Sequence, residues 1–326
     1  MKPILPHLAA SLIFLALGTT PLTAQTATNT AIAAAQWADG VSITLNDDSF
    51  TYQSDGTPSH AVGAQYIVPN DGVMPPFGDN SDDDFHIVDG AELIRKTPID
   101  VTITTQPVLG DAATQTSLGM IGVTLSGARL FNDYEDMSRA NVALDDNRFS
   151  GDAAFVDTCN AHPLQDGSSY HYHGVPTCIT ETVDVAGNHS TLIGVLLDGF
   201  PVYGNAGANG TPVTNADLDI CSGHIGATPE FPAGIYHYHL TTDAAPYSVD
   251  CYRGVLAPGV TSQDGGARGG GQGPDFAATA AQLGITQAAL VTALGDARPV
   301  DLGVAAAALG ITPATLRAAM PPPPDP

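Results

Sequence analysis

The chain has 326 residues, with 10 Lys plus Arg against 34 Asp plus Glu and a formal charge of −24. That length allows one large or two modest domains with a core. A field of that sign repels nucleic acid and anionic membranes, so both are excluded as partners.

In chain order, the first element is a secretory signal over 1–24. Lys2 supplies a positive start and Leu8 to Leu17 an apolar run too short to span a bilayer. Leu22-Thr23-Ala24 fits a cleavage site of small residues, so the mature chain is expected to begin near Gln25, periplasmic or secreted. No later run is long enough for a membrane helix. Residues 25 to about 36 are Ala/Thr-rich and read as a flexible entry. From 37 to about 255 short alternating runs, such as Val41 to Leu45 and Val101 to Thr104, are punctuated by Gly, Pro, Asn and Asp. This pattern predicts a mainly β fold.

Two segments within it read alike. Residues 121–132 (IGVTLSGARLFN) and 193–204 (IGVLLDGFPVYG) are each a strand, a Gly turn and a second strand, the pattern of a hairpin. After each comes Cys-x-x-His, then Tyr-His-Tyr-His, then Cys. The first set is Cys159, His162, Tyr170 to His173 and Cys178; the second is Cys221, His224, Tyr236 to His239 and Cys251. The common order predicts a tandem duplication within 25–255, with units near 100–178 and 180–253, in a sandwich-like arrangement. It favours the pairings Cys159–Cys178 and Cys221–Cys251 among the three that four cysteines allow, each stabilising by about 3 kcal/mol. A Cys-ligated zinc site is the rival reading, against which no Cys-x-x-Cys pair occurs.

Residues 261–274 read as a Gly-rich linker. Beyond it AQLGIT at 281–286 recurs as AALGIT at 307–312, so 275–320 reads as two short helix-turn-helix repeats, in each of which Gly ends one helix and Thr caps the next. With only Arg298 and Arg317 as bases, this appendage suits docking to another protein rather than DNA. A Pro-rich tail, 321–326, ends the chain.

The histidines carry the chemistry. Residues two apart on a strand share a face, so His171 projects with His173 and His237 with His239, while Tyr172 and Tyr238 point the other way. Two imidazoles on one face, with His162 or His224 as a third ligand, make a three-histidine site with an open position. All-nitrogen sites suit copper or zinc. The sites share one cleft if the units face each other and are separate if they diverge. His60, His86 and His189 fall outside the pattern and read as ordinary. Asp198 is a weak candidate to orient an imidazole or act as general base, the turn role of Asp-Gly being favoured; Asp166 shares the ambiguity. Residues 79–84 (DNSDDD) read as a solvated acidic loop rather than a calcium site.

At these residues the chain resembles the YHYH-domain family of secreted proteins, through GVTLSGARLFN, CNAHPLQDGSSYHYHGVPTC, LLDGFPVYG, CSGH and GIYHYHLTTDAAPYSVDCYRG. The family's motif is present twice. The resemblance implies export and this layout, and names no reaction. Three functions stay open: an exported metal-binding protein for copper or zinc, a metalloenzyme (oxidoreductase or hydrolase) with a three-histidine site, and a structural or surface module with non-ligating histidines.

Overall fold

A computed structural model describes residues 21–70, 85–135, 139, 141–145, 149–150, 153–257 and 260, with 282–283, 285, 293 and 302–319 in the tail. The expected signal core, the acidic loop 79–84, the Gly-rich linker and the Pro-rich tail lie outside these residues. The fold is mainly β. In chain order the strands are β1 (Ser42–Leu45), β2 (Ser49–Ser54), β3 (Gln65–Pro69), β4 (Phe85–Asp89), β5 (Ile99–Thr104) and β6 (Leu109–Gln115). There follow β7 (Gly122–Thr124), β8 (Arg129–Leu130), β9 (Phe149–Ser150), β10 (Ala153–Ala154), β11 (Ala161–His162) and β12 (His171–Tyr172). The last five are β13 (Leu192–Leu196), β14 (Pro201–Tyr203), β15 (Gly223–Gly226), β16 (Ile235–His239) and β17 (Cys251–Gly254). The helices are α1 (Pro21–Ala34), α2 (Gly90–Leu93), α3 (Thr177–Val183), α4 (Leu302–Ala308) and α5 (Pro313–Ala319).

The expected flexible entry is helical instead. Alanine-rich sequence favours α1. The helix is tied down at its C-terminal end, where Ala31 and Ile32 are buried and Trp37 Nε1 donates to the Ile32 carbonyl at 2.8 Å.

The centre is an eight-stranded sheet ordered β11-β12-β8-β7-β13-β14-β16-β15. Its halves have the same wiring. In each, a hairpin (β7–β8 or β13–β14) pairs in parallel with a Tyr-His strand (β12 or β16), which pairs antiparallel with the Cys-x-x-His strand (β11 or β15). The halves join where β7 pairs with β13, Val123 opposite Val195, Gly194 opposite Thr124 and Leu196 opposite Gly122. Both strands are buried throughout, as their nearly continuous apolar runs require. The three-stranded sheet β1-β2-β5 packs on the large sheet through one shared core, and Tyr52 reaches across to the Thr124 carbonyl at 2.9 Å. The halves also interlock beyond the seam: Tyr247 and Ser248 donate their backbone N–H groups to Asp133, and Ser248 Oγ donates to the Phe131 carbonyl.

Both disulfides form as the repeat predicts, Cys159–Cys178 and Cys221–Cys251, which removes the Cys-ligated zinc reading. In the tail, the second of the two expected helical repeats is described. Gly310, at φ +68°, ends α4, and Thr312 Oγ1 accepts from the Thr315 N–H at 3.1 Å to start α5.

The seam requires glycine. A Cβ on Gly194 would lie 2.2 Å from the Val123 carbonyl oxygen, and one on Gly122 would lie 2.8 Å from that of Val195. We expect Gly194→Ala to destabilise by about 1–3 kcal/mol, and Gly122→Ala by less, in urea unfolding. Gly40→Ala, where nothing lies within 4 Å, serves as the control and is expected to be near neutral.

Candidate metal centres

Each Tyr-His-Tyr-His stretch sorts its side chains by strand alternation. The tyrosines occupy one face, and all but Tyr172, which bonds Ser126 and His60, are pinned by carboxylates. Tyr170 donates to Asp157 at 2.8 Å and Tyr236 to Asp219 at 3.1 Å. Each of these aspartates also accepts the backbone N–H of the cysteine two residues on, Cys159 or Cys221. The next residues, Asn160 and Ser222, take positive φ, and their carbonyls receive the N–H of His173 and His239. One Asp turn thus sets the tyrosine face and the chain path into the His face.

The opposite face carries the imidazoles. His162 lies directly across the ladder from His171, and His224 from His237. Antiparallel register, more than the disulfide, delivers each third histidine. The rings of each set contact one another, with centroids 4.6–5.2 Å apart among His162, His171 and His173 and 4.6–5.1 Å apart among His224, His237 and His239. Four strands separate β12 from β16, about 24 Å along the sheet. The centres are therefore separate, the second of the two geometries the sequence left open.

The outward nitrogens are tied to backbone carbonyls in matching places. His171 Nδ1 bonds the Ser169 carbonyl at 2.6 Å and His237 Nδ1 that of Ile235 at 3.0 Å. His173 Nδ1 bonds the Asn132 carbonyl at 2.5 Å and His239 Nδ1 that of Gly204 at 2.6 Å. A carbonyl only accepts, so each of these Nδ1 atoms carries the proton and each neutral Nε2 is a bare lone pair. The Nε2 atoms converge. His237 Nε2 lies 3.0 Å from His224 Nε2 and 3.1 Å from His239 Nε2, while His173 Nε2 is buried without a hydrogen bond.

Protonation is a poor remedy for that crowding. Burial pushes His173 and His237 down to about 4 and His239 to about 3, and neighbouring imidazoles press His237 and His239 further the same way. Burial likewise holds His171 well below the usual imidazole range. Two nitrogens bound to one zinc or copper ion at roughly 2.0–2.1 Å and a tetrahedral angle are about 3.3 Å apart. The observed spacings are close to that.

Two further ligand groups border these sets. Glu135 Oε1 lies 3.1 Å from His162 Nε2 and 3.2 Å from His173 Nε2. With His173 neutral near pH 7, its contact is not an ion pair. His189, read as ordinary from the sequence, has ligand atoms within 4.8 Å of those of His237 and His239, and its Nδ1 faces the Ser190 carbonyl at 2.8 Å. His60 instead bonds Tyr172 Oη at 2.5 Å, and its neighbours Cys159 and Cys178 form a disulfide and offer no thiolate. His86 bonds Asn70 at the surface.

Asp198 lies on the tyrosine side. Its buried carboxyl, pushed up to about 6 by desolvation, accepts from Tyr238 at 2.5 Å and from the Phe200 and Gly254 N–H groups. It orients tyrosine and turn, not imidazole. Asp166 likewise closes a turn, accepting the Ser168 N–H at 3.0 Å.

Fold and geometry define a β-sheet protein with two imidazole clusters, the buried His162, His171 and His173 and the partly buried His189, His237 and His239 with His224 beside them, each of which could hold a metal ion. Residues 100–216 and 209–254 match the family model described as YHYH protein, which identifies this stretch as a YHYH domain. No curated protein and no solved structure matches the chain.

The histidine titrations have a defined sign. The folded pKa values of His171, His173, His237 and His239 lie below the free value near 6.5, so the unfolded chain binds more protons between about 4 and 6.5. Stability is full above pH 6.5 and is lost as pH falls toward 4. For His173 alone the loss is about 3 kcal/mol, from a shift to about 4. Urea unfolding of the metal-free protein at pH 7.5, 6, 5 and 4 is expected to show a steep decline in midpoint below 6.5.

Proposed function

We propose that this is an exported metal-binding protein whose two histidine sets each hold one ion, copper or zinc. One observation carries the reading: in the second set His237 Nε2 lies 3.0 Å from His224 Nε2 and 3.1 Å from His239 Nε2, with the Nδ1 protons of the buried His237 and His239 already committed to carbonyls, and the first set repeats those carbonyl bonds at His171 and His173. Lone pairs at that distance repel, and a cation between them turns the repulsion into coordination. Buried, purely structural histidines would find donors instead.

Copper and zinc are the candidates because imidazole suits both, with copper the tighter on the Irving–Williams order. Two disulfides fit an oxidising compartment. The matched halves are the product of a tandem duplication on this reading, and the helical tail is a docking appendage. Carrying or retaining the ion is favoured over catalysis on it. Glu135 beside the first set and His189 beside the second each offer a fourth ligand group, whereas a three-histidine catalytic site keeps a position open.

Elemental analysis of the purified mature protein, loaded with copper or with zinc and freed of excess, is expected to give two ions per chain. A variant with His171, His173, His237 and His239 changed to alanine is expected to give none while keeping its β circular dichroism. A wild-type protein that retains neither metal would sink the proposal.

A further inference from the structure

The two halves agree in their histidines and differ in what stands beside them. In the shared wiring Asn132 corresponds to Gly204, since their carbonyls hold His173 and His239 in the same way. Counting on, Glu135 corresponds to Gly207. Counting back from the seam, His189 corresponds to Ser117. Each half thus supplies a fourth ligand group that the other lacks.

The surroundings match that difference. At the first centre His162, His171 and His173 are all at most 4% exposed, and the Glu135 side chain is 12% exposed. Buried Arg129 lies opposite His171 in the β8–β12 ladder, its guanidinium held by the Thr97 and Pro98 carbonyls. A divalent ion buried beside a guanidinium is costly unless an anion offsets it, and Glu135 brings that charge to within reach of two of the three Nε2 atoms. At the second centre His237 and His239 are buried, but His189 and His224 are only half-buried, and β15, which carries His224, is an edge strand. All four groups are imidazoles. Water can reach an ion there, so a compensating carboxylate is not required.

Resting on the metal-binding reading, we infer that the two centres are inequivalent: Glu135 completes a closed site of three imidazoles and one carboxylate that retains a divalent ion, and His189 completes an open four-imidazole site whose ion exchanges with solvent. The first ion is part of the folded structure and the second is cargo.

The test is metal release from the full mature chain loaded with zinc alone, followed with a chromogenic chelator. Two phases of one ion each are expected, separated by at least about tenfold in rate. His189→Ala should remove the fast phase and leave the slow one. Glu135→Gln should convert the slow phase to a fast one and leave the second ion unchanged, and Glu135→Asp, which keeps the charge, should restore part of the slow phase. Release of both ions in one phase, or a slow phase unaffected by Glu135→Gln, overturns the inequivalence while leaving two-site binding intact. A wild-type protein that retains neither zinc nor, when loaded with it instead, copper overturns the underlying reading.

Discussion

The arrangement depends on the bonds between histidine Nδ1 atoms and backbone carbonyls. Each is an ordinary hydrogen bond, worth about 1 kcal/mol by itself. Its larger effect is to fix the tautomer. Once Nδ1 is committed outward, Nε2 is a lone pair pointing inward. Because the carbonyls belong to the sheet and the turns beside it, at Ser169, Asn132, Gly204 and Ile235, the direction is set by the fold and not by side-chain packing. Sheet register then makes the lone pairs meet, since His162 faces His171 and His224 faces His237 across one ladder.

The tyrosines explain why so much aromatic and polar surface is buried alongside. Strand alternation sends Tyr170, Tyr172, Tyr236 and Tyr238 away from the imidazoles, where each hydroxyl needs a partner. Asp157, Ser126, Asp219 and Asp198 supply them. The cost appears as raised carboxyl affinity for protons at Asp198. The benefit is a rigid wall behind each histidine strand, which holds the convergent nitrogens in place despite their mutual repulsion.

Much of this was legible from the sequence, because repetition is a strong signal. The hairpins, the strand alternation, the two His triplets and both disulfide pairings follow from four landmarks recurring in order. The same logic hid what was not repeated. His189 has no counterpart in the first half, where Ser117 stands, and Glu135, opposite Gly207, has none in the second, so neither carries a repeat signal. Matching selects what copies share, whereas chemical difference lies in what they do not. The helical entry was missed for another reason: Ala/Thr composition is compatible with helix or coil, and only burial of Ile32 against a core built from distant strands decides it.

The glycine seam has a consequence for how the molecule behaves as a whole. Val123 and Val195 sit at the centre of a backbone-to-backbone joint with no room for side chains at Gly122 and Gly194, and the loop at Tyr247 and Ser248 from one half is latched onto Asp133 of the other. Neither four-stranded half has a finished edge without its twin. The two halves are therefore expected to form a single cooperative folding unit, and an ion bound at one end of the sheet would stabilise the other end 24 Å or so away without any movement passing between them, simply because both ends unfold together.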